Sequence, residues 1–204
     1  MSSSLTIGIT GGIGAGKSVV SRILRCNGFM VYDCDFKAKY LMCHNRNVKE
    51  ELIRFFGDGI YNANGQLEKQ KLAHLIFNDE RAKNQVNSIV HKAVRIDIER
   101  EKNDYPDLFF IESAILATSH LDKLCTCIWI VDASSEVRVK RVTLRDKLNL
   151  SQIQKRMDIQ KDELDRLKGD CIVILNNDGE APLLSKVLKM TDKYINQQTY
   201  ILSC

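Results

Sequence analysis

The chain has 204 residues, of which 44% are hydrophobic and 27% charged, a composition typical of a globular protein. The net charge of +4 at pH 7 suits anionic small molecules, but the basic residues do not form the clustered face of a nucleic-acid-binding protein. No apolar stretch reaches the roughly 18 residues of a membrane span, and the first residues lack the basic and apolar regions of a signal peptide. We therefore expect a cytoplasmic protein of one domain, with insertions at most, that binds neither nucleic acid nor membranes.

Five short apolar runs bounded by turn residues predict five β-strands. They are rich in Ile, Val and Phe in nearly continuous order, which is typical of strands buried on both faces of a parallel sheet. Helical patterns separate them, and this alternation predicts an α/β fold with right-handed crossovers. The predicted strands are Leu5–Thr10, Met30–Tyr32, Leu108–Ser113, Cys125–Val131 and Cys171–Leu175.

The predicted helices divide into those that alternate with strands and those that do not. Helices over Lys17–Cys26, from Ser134-Ser135 to Asp146, and over Pro182–Gln197 alternate with the strands. Residues 36 to about 103 instead contain several helices in a row, with apolar residues three and four apart, and predict a helical insertion. Residues 145–168 are charged and contain a helix that begins near Ser151, which fits either a mobile flap or a solvated surface helix pair.

Seven cysteines lie at irregular spacings without a CxxC pair. The odd count and the lack of a second close pair argue against a zinc site. Cys125 and Cys127 alternate within a predicted strand and should point to the same face of the sheet. We expect reduced, mostly buried thiols.

The first predicted strand runs into a glycine-rich segment, Gly11–Ser18, that matches the pattern G-x-x-x-x-G-K-[ST] between a strand and a helix. Its glycines allow backbone N–H groups to converge on phosphate oxygens, and the helix N-terminus adds partial positive charge. We expect Lys17 to reach the β- and γ-phosphates of a nucleotide and the Ser18 hydroxyl to bind Mg²⁺. The segment is predicted to be a phosphate-binding loop.

The second predicted strand leads to two acidic residues, Asp33 and Asp35, at the edge of the sheet where ligands of open α/β sheets bind. If the segment is extended, both side chains face the same way. A carboxylate there could accept a proton from an attacking hydroxyl or hold Mg²⁺. Alternatively, an acid just before Phe36–Leu41 could cap the helix that follows. The residues leave both interpretations open.

Together these motifs resemble the dephospho-CoA kinase family. The sequence TGGIGAGKS at Thr10–Ser18 is followed by Gly28 and by a strand that ends in Asp33-Cys34-Asp35, the Asp-x-Asp of that family. Further similar segments follow in the family's order: Val90-His91-Lys92, Val131-Asp132-Ala133-Ser134, Lys140-Arg141, Arg145-Asp146, Arg156 with Gln160, and Asn177-Asp178-Gly179.

The resemblance implies a P-loop NTPase fold, with three α/β/α layers around a five-stranded parallel sheet. It implies a nucleotide-binding core from residues 1–35, 104–144 and 169–204. The helical insertion, residues 36–103, would be the subdomain that binds the CoA substrate, and residues 145–168 would be a lid over ATP.

The resemblance also implies the reaction, transfer of the γ-phosphoryl group of ATP to the ribose 3′-hydroxyl of dephospho-CoA. The products are CoA and ADP, and this is the last step of coenzyme A biosynthesis, with Mg²⁺ as the metal. Asp35 would be the base, assisted by Lys17 and Arg145, in a monomer or small homo-oligomer. The residues implied for ATP are Gly12, Ile13, Gly14, Ala15, Gly16, Lys17, Ser18, Val19, Arg141 and Asn177; those for dephospho-CoA are Asp33, Asp35 and His91; and Ser18 would hold the metal.

The chain departs from the family pattern at two places on the substrate side. The segment that usually reads Pro-Leu-Leu-Phe-Glu ends here in Thr118, so its acid is missing, and Glu112 lies upstream where it could substitute. His91 is followed by Lys92 rather than by proline. Because His91 lies on an apolar-periodic helix, a core histidine is as good an interpretation as a ligand contact.

Two other functions fit parts of the sequence. Another P-loop small-molecule kinase, such as a nucleoside monophosphate kinase, would share the loop and the lid but differ in the helical insertion. A nucleotide-dependent switch would need an Asp-x-x-Gly after a strand and an Asn-Lys-x-Asp for guanine. Neither string occurs in the chain.

Overall fold

A computed structural model describes residues 5–77, 79–105, 108–146, 148–167, 171–179 and 182–202, with side chains to residue 196. The chain forms two compact units. One combines Met1–Tyr32 with Lys102–Cys204 and contains the sheet. The other, Asp33–Glu101, is helical.

A five-stranded parallel sheet with the strand order β2-β3-β1-β4-β5 is the centre of the first unit. Strand β1 pairs in parallel with β3 and β4, and β4 pairs in parallel with β5. The α/β class and all five predicted strands are confirmed, with ends shifted by at most two residues. The strands are β1 Leu5–Thr10, β2 Val31–Asp33, β3 Leu108–Glu112, β4 Cys127–Asp132 and β5 Ile172–Asn176.

Eight α-helices lie within the described ranges, and the predicted helices are among them. Helix α1 ends where the sequence predicts, because Gly28 just beyond it has a φ of +86°, a conformation that favours glycine. The helices are α1 Lys17–Cys26, α2 Cys34–His44, α3 Arg46–Phe56, α4 Lys69–Phe77, α5 Glu80–Lys102, α6 Ser135–Asp146, α7 Leu150–Asp165 and α8 Leu183–Leu202.

The central strands are buried on both faces, which explains their continuous apolar sequence. Residues 6–10 of β1 and the first four residues of β3 are all buried, and successive strand residues point to opposite faces. Trp129 of β4 is fully buried and packs edge-on against Phe110, with ring centroids 5.4 Å apart. Edge strand β5 differs, since Ile174 is 67% exposed.

The helical unit is built around α5, whose apolar residues at helical spacing are buried, among them Val86, Val90 and Val94. A charged cluster joins α2 to α5. Asp97 is 6% exposed, and its Oδ1 lies 2.5 Å from Nη2 of Arg100. Because its Oδ2 also lies 3.7 Å from Nζ of Lys37, the buried carboxylate is paired with cations from both helices.

The prediction for the cysteines is wrong in two respects. Cys127 and Cys171 form a disulfide, so the thiols are not all reduced. The backbone explains the pairing, because β4 and β5 are neighbours and the N–H of Ile128 donates to the carbonyl oxygen of Cys171 at 2.9 Å. Cys125 lies before β4 rather than in it, so it does not alternate with Cys127 on one strand. Cys204 lies outside the described residues.

We expect the remaining thiols to differ sharply in reactivity. Burial raises the pKa of the Cys125 thiol to about 12, whereas Cys26 is exposed on α1. Since the thiolate is the reactive form, iodoacetamide at neutral pH should label Cys26 and leave Cys125 unmodified. Peptide mass spectrometry after limiting alkylation measures the difference. Equal labelling of the two residues would contradict the burial of Cys125.

Candidate active site

The loop between β1 and α1 has a backbone conformation that favours glycine. Gly11, Gly14 and Gly16 have φ angles of +146°, +78° and +108°, which residues with a Cβ rarely adopt. Space is restricted as well, since a Cβ at Gly14 would lie 2.6 Å from the carbonyl oxygen of Arg138. The glycines therefore serve both the turn of the loop and the close packing of α6 against it.

Helix α1 begins at Lys17 without a side-chain cap at the N-cap residue, Gly16. The first N–H groups of a helix have no partner within it, and an uncapped N-terminus favours an anion. Nζ of Lys17 folds back over the loop and donates to the carbonyl oxygen of Gly11 at 2.6 Å. The exposed Ser18 and Val19 follow in the same turn. The loop thus has an amine, a hydroxyl and a helix N-terminus together, which fits a nucleotide phosphate.

Two arginines of α6 contact the loop from the side. Nε of Arg138 donates to the carbonyl oxygen of Ile13 at 3.0 Å. Arg141 donates from Nη1 to the carbonyl oxygen of Gly14 at 3.3 Å and from Nη2 to that of Asn177 at 2.8 Å. The sequence singles out Arg141 but misses Arg138. Its spacing of three residues from Arg141, which puts both on one helix face, is the signal that could have identified it.

The segment after β5 also holds the loop. Nδ2 of Asn177 donates to the carbonyl oxygen of Ala15 at 2.8 Å, so this predicted residue does contact the loop. Next to it, Oδ1 of Asp178 accepts a hydrogen bond from the N–H of Ser134 at 2.6 Å. That bond lowers the pKa of the Asp178 carboxyl below its usual value. Asp178 is therefore a carboxylate at neutral pH and joins the ends of β4 and β5.

Helix α7, within the predicted lid, reaches the loop through Gln160. Its side-chain oxygen accepts a hydrogen bond from the N–H of Ile13. Arg145, at the end of α6, is 60% exposed and donates to Asp146 from Nε at 2.6 Å and from Nη2 at 2.7 Å. These hydrogen bonds lower the pKa of the Asp146 carboxyl. The structure thus places Gln160 on the loop and pairs Arg145 with a neighbouring carboxylate.

Of the two interpretations that the sequence leaves open for Asp33 and Asp35, the structure does not show the extended one, because α2 begins at Cys34 between them. Asp33 is the last strand residue and the N-cap of α2, and its Oδ1 accepts from the N–H of Phe36 at 2.9 Å. Asp35 lies in the first turn of α2 and is exposed. The capping interpretation is therefore confirmed for Asp33.

His91 lies on α5 of the helical unit and is partly buried. The next residue, Lys92, lines a surface groove between α3 and α5 together with Glu51 and Ile89. Nζ of Lys92 lies 3.8 Å from Oε1 of Glu51 across this groove. The groove thus carries charges of both signs, and binding of substrate by His91 stays a prediction.

The carboxylate beside Thr118 comes from Glu163 of α7 and not from Glu112. Oε1 of Glu163 accepts from the N–H of Ala117 at 2.6 Å, and the Thr118 hydroxyl also donates to this side chain. Glu112 ends β3, where it is paired in register with Ile9 of β1. The sequence gives no signal for this contact, because Glu163 and Thr118 are 45 residues apart.

Within the described ranges, no helix is long and apolar enough to cross a bilayer.

Over the same part of the chain, no group of three or more His, Cys, Asp or Glu side chains could hold a metal ion. Binding of Mg²⁺ by the Ser18 hydroxyl stays a prediction.

Comparison with solved structures supports the fold. A Thermus thermophilus crystal structure is similar with a TM-score of 0.75 and 30% sequence identity, covering 93% of this chain and 96% of that one. The dephospho-CoA kinase of Campylobacter jejuni has a TM-score of 0.69 at 23% identity. A shikimate kinase from Acinetobacter baumannii follows with a TM-score of 0.52. These neighbours show that the chain has the P-loop NTPase fold.

Comparison of sequences identifies the family. The family model described as dephospho-CoA kinase matches residues 5–182. A dephospho-CoA kinase of Porphyromonas gingivalis is 42% identical over 160 residues, which are 78% of this chain and 79% of that protein. One from Fusobacterium nucleatum is 34% identical over 186 residues, covering 91% and 96% of the two chains. The chain belongs to the dephospho-CoA kinase family, whose members are kinases that transfer phosphate from ATP.

Proposed function

We propose that the chain transfers the γ-phosphoryl group of ATP to the ribose 3′-hydroxyl of dephospho-CoA, giving CoA and ADP. The proposal rests on the glycine loop Gly11–Ser18, which has Lys17, Arg138 and Arg141 around it in a member of this family. Phosphoryl transfer is catalysed mainly by positioning and by neutralising charge. A phosphate loop with cations and one carboxylate base is sufficient for that chemistry.

On the nucleotide side, residues 12–19 would bind the phosphates of ATP through backbone N–H groups, with Lys17 at the β- and γ-phosphates. Asn177 and Arg141 support the loop through its carbonyl oxygens, so we assign them to shaping the nucleotide site. The Ser18 hydroxyl would hold Mg²⁺. When bound, that ion neutralises the charge that develops on the transferred phosphate.

On the acceptor side, Asp35 is the better candidate for the base that takes the proton from the 3′-hydroxyl. The Asp33 carboxylate already accepts the hydrogen bond that starts α2, whereas Asp35 is exposed in the first turn. The helical unit would hold the rest of dephospho-CoA, with His91 among its contacts. Asp33 would contribute by fixing the position of the helix that carries Asp35.

The segment 145–168 is proposed to act as a lid that keeps water from the γ-phosphate. The contact of Gln160 with Ile13 supports this role, since it joins α7 directly to the loop. Arg145 would release the Asp146 carboxylate and bind a nucleotide phosphate instead. The present ion pair is partly exposed, and ion pairs open to solvent contribute little stability.

The test is ADP release by the purified protein with MgATP, with and without dephospho-CoA, together with mass detection of CoA. We expect ADP release to depend on dephospho-CoA, with one CoA formed for each ADP. Nucleoside monophosphates serve as alternative acceptors. Faster turnover of any of them would replace this proposal with the nucleoside monophosphate kinase alternative.

We further propose that the chain acts in the cytoplasm, where ATP is available, as a monomer or small homo-oligomer.

A further inference from the structure

We propose that Glu163 is a positioning residue that anchors α7 to the loop after β3 and thereby holds Gln160 on the phosphate loop. The proposal deepens the function proposed above, because it names the residue that keeps the lid in place. The hydrogen bonds of Glu163 go to Ala117 and Thr118 rather than to the glycine loop. Its effect on the reaction is therefore transmitted through α7.

The contact itself is specific. Glu163 is only 6% exposed, and a buried carboxylate is costly unless hydrogen bonds satisfy it. Oε1 accepts from the N–H of Ala117 at 2.6 Å, and both oxygens lie 3.2 Å from the N–H of Thr118. The Thr118 hydroxyl completes the set by donating to Oε2. Two of these donors are backbone N–H groups of the loop after β3, so the carboxylate reaches them only when α7 lies beside that loop.

Helix α7 transmits this position to the phosphate loop. Gln160 lies three residues before Glu163, about 4.5 Å along the axis and on the same side of the helix. Its side-chain oxygen accepts from the N–H of Ile13. Further toward the start of the helix, Ile153 and Met157 pack against Val142 of α6. The helix is thus held by apolar packing near its start and by Glu163 near its end, with Gln160 between them.

Thr118 lies where the pattern that the chain resembles has an acid, and this chain has none at that position. The carboxylate arrives instead from α7, so that the loop after β3 and the lid helix share one set of hydrogen bonds. Removing the carboxylate therefore disturbs the loop and releases the helix at the same time.

The test compares Glu163→Ala with Asp165→Ala, which removes an exposed carboxylate from the same helix. Hydrogen exchange of residues 150–165 in the ATP-free protein should rise in Glu163→Ala and stay native in Asp165→Ala, with α1 unchanged in both. In turnover, Glu163→Ala should raise KM for ATP by about 10-fold, the scale of losing one charged hydrogen bond. It should also form less than one CoA per ADP, because part of the γ-phosphoryl groups is transferred to water and released as inorganic phosphate. Asp165→Ala should keep the native KM for ATP and form one CoA for each ADP.

Two further variants keep the test valid if Glu163→Ala does not fold. Glu163→Gln retains the volume and one acceptor, and Thr118→Val removes only the hydroxyl donor. Both should raise hydrogen exchange in α7 and lower the ratio of CoA to ADP, each by less than Glu163→Ala does. The proposal would be overturned if the variants had lower melting temperatures but kept native hydrogen exchange in α7, a native KM for ATP and one CoA formed per ADP. Hydrogen exchange is measured without turnover. A native protein that forms no CoA would therefore refute the proposed reaction but not the anchoring role of Glu163.

Discussion

Replacing Lys17 with alanine should lower the rate of CoA formation by about 10²- to 10³-fold, the scale of removing one preorganised donor from a transition state. Nζ of Lys17 lies over the loop, 2.6 Å from the carbonyl oxygen of Gly11. No neutral side chain can replace the positive charge that the amine would present to the nucleotide phosphates in the proposed reaction. Because the charge builds up during transfer, the loss should appear in kcat as well as in KM for ATP.

The control for this variant is Lys189→Ala, which removes an exposed lysine from α8 of the same unit. Its activity should equal that of the native protein. Circular dichroism and thermal melting of Lys17→Ala verify that the loss is not unfolding, since the same amine also bonds the loop backbone. Activity of Lys17→Ala within a few-fold of the native value would refute the assignment of Gly11–Ser18 as the phosphate loop.

The sequence predicts those parts of this molecule in which the signal is local. A strand, a glycine-rich turn and an apolar-periodic helix follow each other within Leu5–Cys26, and each is determined by nearby residues. The continuous apolar character of β1 and β3 likewise reflects burial on both faces. The order of the strands in the sheet was not derivable in this way, because it depends on pairing between distant segments.

The residues that the sequence misses are those whose partners are distant in the chain. Arg138 bonds Ile13 across 125 positions, and Glu163 bonds Thr118 across 45. A single sequence has no pattern for such contacts, since an arginine on a solvated helix face looks the same. The disulfide between Cys127 and Cys171 was missed for the same reason. It requires β4 and β5 to be neighbours, which spacing alone does not reveal.

Asp33 and Asp35 show a different limit, in which local chemistry allows two conformations. Both an extended Asp-x-Asp and a capped helix are consistent with the residues. The structure favours the cap because the Asp33 carboxylate satisfies the N–H of Phe36, one of the donors that the start of a helix leaves without a partner. The Asp33 carboxylate is thereby engaged as the cap of α2, whereas Asp35 is exposed in its first turn, which is why we propose Asp35 as the base.

Replacing Asp35 with asparagine should therefore lower the rate of the chemical step by about 10²-fold or more, the usual contribution of a general base. ATP affinity should stay native, since the nucleotide is assigned to the phosphate loop. Single-turnover formation of CoA and equilibrium binding of ATP measure the two quantities separately. An equal loss in both would show that Asp35 supports binding and not proton transfer.

The matched variant is Asp33→Asn, since asparagine caps helices about as well as aspartate. It should keep both the melting temperature and most of the rate, whereas Asp33→Ala should lose the cap and about 1 kcal/mol of stability. The pair of asparagine variants thus separates a carboxylate that only positions α2 from one that takes a proton. If Asp33→Asn loses about 10²-fold in the chemical step and Asp35→Asn does not, the base is Asp33, and the cap must open for the reaction to occur.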